Sequence, residues 1–181
     1  AATFQLNGSG MTRFLKELKA TNINDINAMV ALYRPGPMSF IPDYIERKHN
    51  PNKVKYLDER MKDILEPTFG ILIYQDDVMM IAVKFAGYSW GEADKFRKAM
   101  GKKIPKLMAE QKEKFFKGCT EVGGLEEKKI QSLWDQIETF AAYGFNKAHA
   151  ASYGRVAYLT SYLKANYPVM YMTSEIGRAH V

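Results

Sequence analysis

The sequence predicts an all-α protein, mainly helical with at most a trace of strand. Three observations carry that prediction. Apolar residues recur at spacings of three and four, as in Met11, Phe14, Leu15 and Leu18 or Ile130, Leu133, Trp134, Ile137 and Phe140, a period that gathers them on one helical face. Capping residues and Gly or Pro stops punctuate these runs. Only Gly70-Ile71-Leu72-Ile73-Tyr74 suits a short strand, and its length fits a buried helix entrance equally well.

The elements follow in order. Residues 9–18 form the first helix. Asn22 or Asn24 caps the second, whose apolar stripe is Ile26, Met29, Val30 and Tyr33. Arg34-Pro35-Gly36-Pro37 ends it, because proline disfavours helical geometry in the residue before it; the loop either holds Arg34 at a fixed angle or simply turns the chain. A short helix spans 42–48, and another spans 58–65 until Pro67 stops it. From Asp76 a helix carries Val78, Ile81, Ala82 and Phe85, and Gly87 closes it. Asp76 and Asp77 point about 100° apart on a helix, so they answer the helix dipole rather than clasp a metal. Ser89 and Glu92 make a capping box for the helix that delivers Arg97. Gly101 stops that helix by adopting the left-handed conformation. Pro105 opens a long basic helix with lysines at 106, 112, 114 and 117, most of them on a solvated face, and Gly123-Gly124 breaks the chain. After the amphipathic run ending at Phe140, Ala142-Tyr143-Gly144-Phe145 turns tightly. The last long helix starts at Asn146 or Lys147 and ends at Asn166, with Tyr153, Val156, Tyr158, Leu159 and Tyr162 packed inward.

With 181 residues, 46% of them hydrophobic and 13% aromatic, the chain is long enough for one domain with a real core or for two small ones. A net charge of 26 − 20 = +6 suits polyanionic partners such as nucleic acid, nucleotides or an anionic membrane. Cys119 is the only cysteine, which excludes an internal disulfide and fits a reducing compartment. His49, His149 and His180 lack ligand spacing, so no metal site is expected. No apolar run approaches the roughly 18 residues of a membrane span, and no signal peptide opens the chain; a soluble, cytoplasmic protein is expected. Ala1 to Leu6 begins without an initiator methionine and reads as the interior of something longer.

Two basic clusters stand out. Arg97, Lys98, Lys102 and Lys103 place four cations within seven residues. If Gly101 reverses the chain, the later lysines swing back beside Arg97 and Lys98 to form a positive cup for a polyphosphate. Cations in a last helical turn also simply answer the helix dipole. The second cluster is Asn146, Lys147 and His149 at a helix start, where free N–H groups and the dipole favour a phosphate.

These motifs have a family resemblance. Thr3-Phe4-Gln5-Leu6, Ala31 to Met38, Ile41 to Ile45, Tyr74-Gln75 followed by Val78-Met79, Ala86-Gly87-Tyr88, Arg97 to Lys103 and Phe140 to His149 resemble, in order and spacing, the alpha subunit of bacterial DNA polymerase III, the C-family replicative polymerase. The resemblance implies the end of the palm over 1–34 and the helical fingers domain over 35–174. Residues 175–181 leave the family pattern and read as a non-native tail. It further implies a grip on the incoming deoxynucleoside triphosphate and on primer–template DNA, with Arg97, Lys98, Lys102 and Lys103 first among the phosphate contacts. Asn146, Lys147 and His149 come next and Arg34 third. No catalytic or metal-binding residue is expected here, because nothing matches the palm aspartates that hold two magnesium ions. The chain alone is therefore expected to be inactive, and the parent, a cytoplasmic DNA-directed DNA polymerase, to work with the sliding clamp and other replicase subunits. The family often has Glu-Gln where this chain has Asp76-Asp77, and serine where it has Ala148. The alternative is a non-enzymatic helical module that binds nucleic acid through a basic face; an exposed apolar patch would instead mark an interaction module.

Overall fold

A computed structural model describes residues 3–102, 105–141 and 143–179. Among these residues the helical expectation holds. The α-helices are α1 (Ser9–Leu18), α2 (Ile23–Leu32), α3 (Ile41–His49), α4 (Lys62–Leu65), α5 (Gln75–Ala86), α6 (Trp90–Lys102), α7 (Pro105–Glu121), α8 (Glu127–Ala141), α9 (Lys147–Asn166) and α10 (Pro168–Ala179). The β structure among the described residues is one isolated parallel bridge, Tyr74 to Phe145. The chain divides into two compact units, residues 1–41 with 148–181 and residues 42–147.

In the first unit, Asn22 caps α2. Its side chain accepts from the Asp25 N–H at 3.2 Å, while Asp25 accepts from the N–H groups of Thr21 and Asn22 at 2.8 and 3.3 Å. Met11, Phe14 and Leu18 of α1 are buried with Ala28 to Leu32 of α2. The inner face of α9 consists of Ala150, Gly154 and Ala157, and a Cβ at Gly154 would overlap the Asn27 side-chain oxygen. That small-residue stripe corrects the expectation for the bulky residues of α9. With the inner face already occupied, Val156, Tyr158, Leu159 and Tyr162 are exposed. Tyr153 alone among them is half-buried, 5.2 Å from the Phe4 ring.

In the second unit, α5 lies at the centre, packed against α4, α6 and α7, and α8 covers α6 and α7. The core is aromatic: Phe96 stacks on Phe115 at 5.6 Å, and Trp134 lies 6.0 Å from Phe96 and 5.7 Å from Phe115. All five apolar residues expected on α8 are buried there. Cys119 is buried too, and burial pushes its thiol up to about 12, which leaves it an inert core group. Gly87 ends α5 at φ 68°, as expected.

Two local expectations are corrected. The helix expected over 58–65 is a 3-10 turn (Glu59–Met61), one turn of α4 and a second 3-10 turn (Glu66–Thr68) that contains Pro67. Proline fits the first positions of such a turn because its missing N–H is not needed there. Gly101 does not stop α6, which continues through it to Lys102, and its φ is not positive. An exposed helical glycine costs about 1 kcal/mol, and burial of Ala99 and Met100 just before it offsets that. Lys98 and Lys102 therefore lie one turn apart on one helical face, and no chain reversal at Gly101 builds a cup.

Candidate functional site

The start of α5 is the junction on which Arg97 and Lys147 converge. The chain leaves a turn at Gly70 (φ 78°) and reaches it through Tyr74, which is extended and bridged to Phe145. The Gln75 N–H donates to the Phe145 carbonyl at 2.9 Å, and the Phe145 N–H donates to the Ile73 carbonyl at 3.4 Å. The Gln75 side-chain amide donates to the Gly144 carbonyl at 3.0 Å. A Cβ at Gly144 would stand 2.7 Å from Gln75 Cγ and 2.9 Å from the Phe140 ring. Only glycine lets the 143–147 segment come this close.

Arg97 reaches the same glutamine from α6. Its Nη1 donates to Gln75 Oε1 at 3.2 Å, while Nε and Nη2 donate to Asp94 Oδ1 at 3.1 and 2.7 Å. The other Asp94 oxygen lies 2.6 Å from Lys98 Nζ. One exposed-side carboxylate therefore holds two of the expected phosphate ligands, and both lower its pKa through hydrogen bonds. Lys102 is exposed. Lys103 lies outside the described residues. Gln75, Val78, Arg97, Met100, Ile137, Phe140 and Gly144 line a shallow, mostly apolar depression, to which Arg97 and Gln75 contribute the polar side chains.

Lys147 meets the next two residues of α5. Its N–H donates to Asp76 Oδ2 at 2.9 Å, and its ammonium lies 3.3 Å from Asp77 Oδ1 and 5.4 Å over the Tyr74 ring. The expectation of an outward-facing helix start is corrected at this residue, since Asp76 already caps the first N–H of α9. Asp77 is 2% exposed, and its Oδ2 has no hydrogen-bond partner among the described residues. Burial pushes its carboxyl up to about 6, against the pull of the Lys147 charge. Burial also raises the Tyr74 phenol. Asn146 is exposed beside Lys147.

The remaining expected residues lie in the first unit. His149 is exposed with its ring 4.0 Å from Tyr153. Arg34 is half-buried, its Nε donates to the Ala31 carbonyl at 2.9 Å, and burial lowers its pKa. What the sequence reading missed is the set of partners: Gln75, Asp76, Asp77 and Asp94. Asp94 was recoverable, since it stands three and four residues before Arg97 and Lys98, the spacing of neighbours on a helix. The others pair with residues 22 or about 70 positions away, and no local pattern marks them.

The donor set does not fit a metal. Asp76 and Asp77 direct different oxygens to different atoms of Lys147, and no group of three or more His, Cys, Asp or Glu side chains among the described residues is placed to hold an ion. No helix among them is long and apolar enough to cross a membrane.

The second unit brings Arg97 and Lys147 to one helix start, and comparison with known proteins places the chain in a family. Residues 1–123 match the bacterial DNA polymerase III alpha subunit finger domain, and the chain belongs to that family. It is 46% identical over 177 residues to the DNA polymerase III subunit alpha of Xylella fastidiosa, a match covering 98% of this chain and 15% of the relative. It is 49% identical over 171 residues to that of Rickettsia conorii and 46% identical over 176 to that of Thermus aquaticus, each match covering 94% of this chain and 14% of the relative. The chain thus spans about one seventh of the length of the curated relatives it matches.

Proposed function

We propose that this chain is the fingers region of a replicative DNA-directed DNA polymerase and grips the incoming deoxynucleoside triphosphate while helping to position primer–template DNA. The observation that carries this reading is the Gln75 junction, which ties Arg97 of α6 to the Gly144–Lys147 segment. Arg97, held from two sides, presents a guanidinium suited to forked phosphate contacts. Lys98, Lys102 and Lys147 add charge that opposes the build-up on a leaving pyrophosphate. Asn146 and His149 are secondary contacts, Arg34 a looser one, and Lys103 belongs to the same cluster by sequence. Chemistry is assigned to carboxylates elsewhere in the parent polymerase, with magnesium held there and on the substrate phosphates, so this chain alone is inactive. The parent is proposed to act in the bacterial cytoplasm with the sliding clamp and other replicase subunits.

A diffuse basic face fits less well. On α7, Lys114 pairs with Glu92 at 2.5 Å and lies over the Tyr88 ring, while Lys112 lies over Phe116; these two have separate partners, whereas Arg97 and Lys147 meet the successive residues Gln75, Asp76 and Asp77.

Single-turnover nucleotide addition by the full parent polymerase carrying Arg97→Ala tests the proposal. The expected outcome is a loss of about 10- to 100-fold in kcat/KM, the size of one or two charge-assisted hydrogen bonds, with DNA binding and circular dichroism unchanged. Unaltered incorporation would return Arg97 to the role of a partner for Asp94.

A further inference from the structure

Holding Lys147 with a buried carboxylate has a chemical consequence. An ionised side chain in an apolar interior is stable only while it is paired. Among the described residues Asp77 has one such partner, the Lys147 ammonium at 3.3 Å, and its second oxygen is buried with no hydrogen-bond partner. Lys147 is different, because nearly half of its side chain is exposed and it can turn toward an incoming anion. We infer that Asp77 is a positioning residue that retains Lys147 when ionised and releases it when protonated, so that polyphosphate binding at Lys147 is coupled to proton uptake by this buried carboxylate.

The inference rests on the phosphate-grip reading above and assigns it a proton. The charged and titratable groups that act on Asp77 are few. Lys147, at the start of α9, favours its ionised form, and Asp76 on its own helix opposes it. Tyr74 lies beneath Lys147, and Arg97 of α6 reaches Gln75 two residues away. The other elements packed on α5 direct charges elsewhere: Asp63 of α4 pairs with Lys84, and Lys114 of α7 with Glu92. When Lys147 moves to a phosphate, the main attraction that keeps Asp77 ionised is lost, and its carboxylate takes a proton from solvent. By linkage, lowering the pH must then favour anion binding through this group. Burial already brings that titration up to about 6, within a range where small shifts change its charge.

The test is calorimetric titration of deoxyadenosine triphosphate into the wild-type chain and Asp77→Asn between pH 5.5 and 8, in buffers of differing ionisation enthalpy. Taking the ratio of the two affinities at each pH removes the nucleotide's own protonation. Asp77→Asn should bind about tenfold more tightly at pH 8, with the ratio falling toward one at pH 5.5, and the wild type should take up more protons than the variant. Lys147→Ala keeps the carboxylate but removes the moving partner, so its binding should lose that extra uptake whether or not Asp77→Asn folds. A flat ratio, or equal uptake by Lys147→Ala and wild type, overturns the coupling. If Arg97→Ala and Lys147→Ala still weaken binding in that case, the phosphate grip stands without it. If the wild type does not bind the nucleotide, or neither variant weakens binding, the grip itself falls and the coupling with it.

Discussion

The Arg97–Lys98 pair and Lys147 are held by carboxylates of opposite character. Asp94 retains Arg97 and Lys98 from a partly exposed position on α6, and its hydrogen bonds with them lower its pKa. Asp77 retains Lys147 from the interior, and burial raises its pKa in spite of that partner. An exposed acid remains hydrated after its cations leave, so displacing it costs little. A buried acid does not, and its partner's departure must be met by a proton or by strain elsewhere. The difference teaches that, on the proposed phosphate grip, a cluster that yields readily and a lysine whose release is conditional serve the same ligand.

The largest expected effect breaks the junction that both groups share. Gly144→Ala drives a methyl into Gln75 Cγ and the Phe140 ring, and an overpacked site of this kind loses about 2–3 kcal/mol. Gln75 then loses its register with the Gly144 carbonyl and Arg97 loses its second anchor. Urea denaturation of the variant should show the stability loss, and the nucleotide affinity of the fraction still folded should fall. Full affinity in a destabilised protein would mean that Asp94 alone orients Arg97.

Lys147→Ala separates the two acids on the pH axis. The folded-state pKa of Asp77 lies above its unfolded value, so the folded protein binds the extra proton between about 4 and 6. Its contribution to stability is present below that window and is lost as the pH rises through it. Removing Lys147 takes away the attraction that lowers this pKa, so the loss extends to higher pH. Wild type and variant should be nearly equal at pH 4. Above pH 7 the variant should be less stable by about 1–2 kcal/mol, below the usual cost of breaking a buried pair because Lys147 is half exposed. A constant difference across the range would assign the effect to lost packing instead.

How much of this was legible in the sequence depends on the distance over which each feature acts. Local chemistry was readable: the Asn22 cap, the Ser89–Glu92 box, Pro105 opening α7 and the Lys147 start of α9 all stand where residue type and spacing put them. The buried face of α8 was readable from period alone. Gly101 misled because glycine's tolerance of the left-handed conformation is a permission, and helix packing before it decides otherwise. The tyrosines of α9 misled because bulky apolar residues at helical spacing imitate a core, whereas Ala150, Gly154 and Ala157 allow the close approach. In the site, the cations were visible as clusters but their partners were not. Asp76 and Asp77 read as answers to a helix dipole, and only the fold brings Lys147 to them across some 70 residues.

The smallest expected effect sharpens the contrast most directly. Asp94→Ala removes the exposed acid, and its stability should be indistinguishable from wild type in thermal melts, as for most surface ion pairs. Gln75 still holds the Arg97 guanidinium at 3.2 Å, while Arg97 and Lys98 both lose a competitor for the anion. Nucleotide affinity should therefore rise about two- to threefold at low salt, and the gain should vanish near 0.5 M salt, where screening reaches only about 4 Å. Unlike the change at Asp77, this gain should be independent of pH between 6 and 8, because Asp94 is already ionised throughout. A fall in affinity would reverse its role, making Asp94 the residue that aims Arg97 at the phosphate rather than the one that competes for it.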